Sequence, residues 1–115
     1  MKKYMAVFTG SADAMAGWQA LDATERRRRE AEGMQAWKRW VEDNAQAIVD
    51  NGAPLGKTKR VTKDGIGDTR NNLAAYTVVQ AESQEAAARL FEGHPHFTIF
   101  PGDGVEIMEC LPMPQ

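Results

Sequence analysis

Residues 3–9, Lys3-Tyr4-Met5-Ala6-Val7-Phe8-Thr9, limit what this chain can fold into more than any other stretch. They are aromatic and β-branched enough for a strand, and Gly10-Ser11-Ala12-Asp13 ends it. Side chains alternate along a strand, so Tyr4, Ala6 and Phe8 share one face while Met5 and Val7 share the other. Both faces are apolar. An antiparallel sheet usually packs one face on its core and leaves the other polar, so a strand of this kind requires cover on both sides.

The rest of the chain supplies cover for one side. Ala14 to Leu21 reads as one or two helical turns around Trp18. Asp22-Ala23-Thr24-Glu25 has the form of a capping box, which predicts a long helix starting near Ala23. Met34, Trp37, Val41, Ala45 and Ile48 recur at spacings of three and four as its apolar stripe, and Asn51-Gly52 ahead of Pro54 marks its end. Trp40 lies roughly 120° from Met34 around that helix; packing under the 10–22 segment, against a partner subunit or on a ligand are the roles open to it.

Ala53 to Lys63 reads as a polar edge strand, followed by the glycine turn Asp64-Gly65-Ile66-Gly67-Asp68 and the more buried strand Leu73 to Ala81. Ser83 is the expected N-cap of a second helix whose apolar side is Ala86, Ala87, Leu90 and Phe91, stopped by Gly93 and Pro95. Val105 to Leu111 is the last strand, with Val105, Ile107 and Leu111 opposite Met108 and Cys110.

The order β, α, β, β, α, β defines an α+β, ferredoxin-like plan: a four-stranded antiparallel sheet with two helices on one face. The 115 residues fit a single domain, 1–115. Because the helices leave one apolar sheet face bare, the expected cover is a second copy. The prediction is a homodimer with sheets face to face, a dimeric α+β barrel holding two equivalent clefts.

Composition narrows the partners. A formal charge of −2 provides no basic face for nucleic acid. The run Arg26-Arg27-Arg28-Arg29 is bracketed by Glu25, Glu30 and Glu32 and reads as a solvated helix face. Cys110 alone excludes an internal disulfide, which suits a reducing compartment, and its expected role is a small core residue. The N-terminal apolar run is too short for a signal peptide, and nothing approaches the ~18 apolar residues of a membrane span. A cytoplasmic protein without nucleic-acid or membrane partners is expected.

Several features together resemble the YCII-related proteins, with the closest similarity to the branch carrying a DGPF-type hairpin. They are Tyr4-Met5, the Trp18 segment, Asn51-Gly52-Ala53-Pro54-Leu55, Lys63-Asp64-Gly65, Ser83-Gln84-Glu85-Ala86-Ala87, His94-Pro95 and Gly104-Val105-Glu106-Ile107. The resemblance covers nearly the whole chain. It independently implies the dimeric α+β barrel, and some members of the family resemble dehydrochlorinases acting on aromatic compounds. The family's histidine on the first helix and aspartate before a proline are not matched: the first helix carries no histidine, and His94 precedes Pro95. Ile66-Gly67 stands where Pro-Phe would follow Asp64-Gly65.

Chemistry then rests on few residues. His94 and His96 flank Pro95, and each can titrate near neutrality. They make a poor metal pair, since no third ligand lies at a suitable spacing. His94 is the expected general acid or base, with helix capping as its structural alternative. Trp37, Trp40, Tyr4 and His96 are the expected ligand-binding residues of an apolar pocket; for Tyr4 and Trp37 core packing is the competing role. Pro101-Gly102-Asp103-Gly104 precedes a strand and lacks a P-loop lysine, so it is a turn. Without any expected metal or cofactor, the reading is a small-molecule protein with lyase- or hydrolase-type proton transfer. The alternatives are a non-catalytic ligand-binding or partner-regulating dimer, or a purely structural one.

Overall fold

The computed structural model describes residues 1–114. Its elements are β1 (Lys2–Thr9), α1 (Ala12–Gln19), α2 (Ala23–Asp43), β2 (Ile48–Pro54), β3 (Thr58–Thr62), β4 (Gly65–Thr69), β5 (Leu73–Ala81), α3 (Gln84–Arg89), α4 (Pro95–Thr98) and β6 (Gly104–Glu109). The four long-range strands form an antiparallel sheet in the order β2-β5-β1-β6. This is the ferredoxin-like α+β arrangement expected from the element order. The strand that is apolar on both faces, β1, lies inside it with both edges paired.

One sheet face makes the core. Tyr4, Ala6 and Phe8 of β1 are buried with Val79 and Ala81 of β5, and Ala87 and Phe91 close over them from the α3 side. Trp37 and Trp40 of α2 pack against the same cluster. The opposite face shows, by register, Met5 between Val78 and Met108, and Val7 between Tyr76 and Glu106. Nothing among the described residues covers it as a second layer: the molecule measures 54 × 43 × 18 Å, thin enough for one sheet and one helical layer only.

Two boundaries differ from those read in the sequence. The long helix starts at Ala23 as expected but stops at Asp43, where Asn44 caps it and donates its side-chain amide to the Trp40 carbonyl at 2.8 Å. Ile48–Pro54 is the edge strand instead. Gly52 does adopt positive φ, 68°, yet it serves a bulge in β2 rather than a helix exit; Asp50 Oδ1 accepts the Gly52 N–H at 2.8 Å, and the pairing with β5 shifts between Asp50 and Ala53. The expected edge strand Ala53–Lys63 therefore divides. Its second half, β3, pairs only with β4 in a separate hairpin turned by Lys63-Asp64, and Val61 and Ile66 face each other across it, both about three-quarters exposed.

The helical stripe is also rotated from the expected one. Gly33 is buried and Trp37 and Trp40 pack inward, whereas Met34 is 64% exposed. Cys110 follows β6 and is exposed, not a core residue. The arginine run behaves as a solvated face: Arg28 and Arg29 both bond Glu25, at 2.7 and 2.9 Å, which holds the Glu25 carboxyl at about 2, well below the usual carboxylate range.

Candidate functional site

The site is built around the His94-Pro95-His96 corner. Gly93 ends the turn after α3 with φ 68°, and the chain then enters α4 with Pro95 in its first turn. His94 is the N-cap of that short helix. Its Nδ1 accepts the backbone N–H of His96 at 3.0 Å, the role that a serine or aspartate oxygen usually plays. Nδ1 is thus an acceptor, and a neutral ring must carry its proton on Nε2.

That Nε2 is fully enclosed and has no hydrogen-bond partner among the described residues. Aromatic rings surround it: Trp37 and Trp40 stand edge to face with the imidazole at centroid distances of 4.5 and 4.7 Å, and Phe8 lies at 5.1 Å. Only the π-faces of these rings can receive the N–H, a weak interaction. Burial, and secondarily the neighbouring His96, push the His94 pKa down to about 4. His94 is 0% exposed and lines neither cavity described below, so the histidine expected as general acid or base has its side chain sealed in the core.

His96 is placed differently. Its ring is 8% exposed and its Nε2 lies 2.7 Å from the carbonyl oxygen of Thr9. A carbonyl only accepts, so Nε2 donates, and that oxygen's second lone pair takes the Asp103 N–H at 2.9 Å. The backbone of His96 is held as well, its N–H on His94 and its carbonyl on the Gly102 N–H at 2.9 Å. Gly102 is required beside it, because a Cβ there would overlap the imidazole. The remaining ring nitrogen, Nδ1, has no partner among the described residues and is not among their enclosed polar atoms. In the neutral ring it is a lone pair on an immobilised, nearly buried imidazole.

His96 lines two cavities, one on each side. The first, 470 Å³, is bounded by Met34, Trp37 and Lys38 of α2, by the bulged part of β2 and by Phe100. The second, 520 Å³, lies against Gly10, Ser11 and Met15, the Arg70-Asn71-Asn72 segment and Pro101-Gly102. Ala74, His96 and Phe100 belong to both, so the two are adjoining chambers with these residues as their common border. Each has the volume of a small-molecule site. Phe100 fits between them because Gly33 opposes it; a Cβ at Gly33 would come within 2.5 Å of its ring.

Of the four expected ligand-binding residues, Trp37 and His96 reach the cleft. Tyr4 is 1% exposed on the core face of β1, and Trp40 spends its indole N–H on the Leu90 carbonyl at 2.7 Å; neither lines a chamber. Phe100, Lys38 and Arg70 were not picked out from sequence. Phe100 stands just outside every periodic segment, next to Pro101, and only its place in the aromatic-rich final quarter marks it. No cluster of three or more His, Cys, Asp or Glu residues able to hold a metal occurs among the described residues.

An antiparallel sheet of this order, with a histidine-bordered cleft at the start of its last crossover, defines a ferredoxin-like α+β fold. Among solved structures the chain is similar to 5-chloro-2-hydroxyhydroquinone dehydrochlorinase (TftG) from Burkholderia phenoliruptrix AC1100, solved in complex with 2,5-dihydroxybenzoquinone. The TM-score is 0.54 at 11% identity, covering 91% of this chain and 89% of that one, a likeness of fold. No family model matches the chain, and no curated protein matches it by sequence. No helix among the described residues is long and apolar enough to cross a membrane.

Proposed function

We propose that this chain is a cytoplasmic YCII-related protein, a single domain that works as a homodimeric α+β barrel and binds a small organic molecule in the cleft around His96. The observation that carries this reading is the His96 ring itself. It is nearly buried, its Nε2–H is held on the Thr9 carbonyl while two further hydrogen bonds hold its backbone, and cavity borders it on both sides. A free lone pair held at a cavity wall is the arrangement of a general base.

The chemistry that fits is proton abstraction from a bound ligand. His96 Nδ1 takes a proton from a ligand carbon or hydroxyl. In a lyase-type step the electron pair of the broken C–H bond becomes a new π-bond while a leaving group departs from the neighbouring carbon with its own pair. The likeness to a dehydrochlorinase supports this class of step through shared fold. The non-catalytic alternative keeps the same cleft without turnover.

Titration with 2,5-dihydroxybenzoquinone, followed by tryptophan fluorescence and by the His96 ring resonances, tests the cleft; both signals move if the ligand binds there. Chloride release from 5-chloro-2-hydroxyhydroquinone tests the chemistry, and His96→Gln should abolish it while binding persists. Silence of both Trp37 and His96 on titration overturns the cleft, and binding without chloride release that His96→Gln leaves unchanged favours the binder.

A further inference from the structure

The two chambers differ in chemistry, and their charge is one-sided. Lys38 borders one and Arg70 the other, with His96 between, and no aspartate or glutamate lines either. This is notable in a chain with 16 acidic and 14 basic residues. Lys38 and Arg70, like most of the chain's basic residues, form no ion pair among the described residues, so neither charge is already taken up by a carboxylate.

The Lys38 chamber is walled by Trp37, Phe100, Met34 and Pro54, surfaces suited to a flat apolar ring. The other chamber holds the polar groups. There Ser11 Oγ is engaged with the Ala14 N–H and Asp103, and Asn71 is engaged through both ends of its amide, with Thr58 and the Leu73 N–H. The Arg70 guanidinium and the Asn72 amide are left as donors without partners among the described residues. An arginine fork matches a carboxylate in two parallel hydrogen bonds, which a lysine cannot do.

We infer that the cleft takes an aromatic or similarly flat carboxylic acid, its ring against Trp37 and Phe100 and its carboxylate at Arg70 and Asn72. The molecule then spans the His96 wall, which presents its central atoms to Nδ1. The inference rests on the cleft being the binding site and adds the class of ligand.

Calorimetric titration with 2-naphthoate and with its neutral isostere 2-naphthamide separates the two. The acid should bind roughly tenfold or more tightly than the amide, the worth of a charge-assisted hydrogen-bonded contact. Arg70→Gln, an exposed loop position, should erase that preference by weakening the acid far more than the amide, while Lys38→Gln should preserve it. Equal binding of acid and amide, with Trp37 fluorescence responding to both, overturns the carboxylate assignment and leaves the cleft standing. Loss of the preference in Lys38→Gln instead of Arg70→Gln overturns the placement. Failure of both compounds to bind overturns the inference together with the cleft.

Discussion

His94 Nδ1 accepts the backbone N–H of His96 at 3.0 Å, so one histidine is spent as a structural cap to orient the other. The cost appears at low pH. The unfolded chain protonates His94 near its ordinary 6.5, the folded chain only near 4, so between these values the unfolded state holds the extra proton and stability falls as pH falls. The full loss is on the order of 3 kcal/mol, of which about 2 kcal/mol should appear between pH 7 and pH 5. Urea midpoints across that range check it. His94→Asn keeps an acceptor for the His96 N–H and removes the titration, so its stability should be lower at pH 7 but nearly flat with pH.

Two glycines should respond differently, one in stability and the other chiefly in binding. At Gly52 the positive φ, together with the Tyr76 carbonyl that a Cβ would strike, leaves no room, and Gly52→Ala should destabilise by more than about 1 kcal/mol in thermal or urea unfolding. At Gly102 the obstacle is the His96 ring and φ is ordinary. Gly102→Ala should push that ring off the Thr9 carbonyl, shift its NMR resonances and weaken binding of 2,5-dihydroxybenzoquinone, with a smaller loss of stability.

The two α2 tryptophans should likewise part company. Trp40→Phe removes the 2.7 Å bond to the Leu90 carbonyl and leaves that half-buried acceptor unmatched beside the core, a cost of about 1 kcal/mol with ligand affinity retained. Trp37→Phe removes part of a chamber wall, so affinity should fall in titration. If Trp40→Phe were the one to weaken binding, the boundary drawn between core and cleft would be wrong.

The fold was legible because its signals are local and redundant. Asp22-Ala23-Thr24-Glu25 marks the start of α2, although Asp22 makes no side-chain cap bond and Glu25 turns to Arg28 and Arg29; the Ser83 cap and the two-faced strand 3–9 likewise mark their elements locally. The site was legible only as a neighbourhood. Both histidines of the expected loop are buried, but a sequence cannot say which of the two beside Pro95 borders a cavity: His96 lines both chambers, as a ligand-binding residue would, whereas His94, expected as the acid or base, lines neither. Trp40 was misplaced because the stripe was drawn through Met34, whereas the helix rotates to bring buried Gly33 against Phe100. Asn51-Gly52, read as a helix end, is a bulge with positive φ at Gly52; whether such a glycine closes a helix or bulges an edge strand depends on the strand beside it, here β5.

The face that β1 leaves bare is the remaining physical demand. Met5, Val7, Val78 and Met108 lie together there by register, Met108 44% exposed, and Glu106 is the charged residue opposite Val7. Apolar side chains on the two central strands of a sheet are stabilised by about 25 cal/mol for each Å² removed from water, which a second copy packed face to face would supply. The dimer should therefore give twice the 12.7 kDa chain mass in light scattering. Val78→Lys sets a charge in the middle of that face, two copies of it in each dimer, and should shift the mass to that of one chain. Its far-ultraviolet circular dichroism should be unchanged, because the core face of β5, with Thr77 and Val79, is untouched. A wild-type protein with the mass of one chain would mean that the face stays open to solvent, and the barrel would fall while the His96 cleft, built entirely within one chain, would still stand for test.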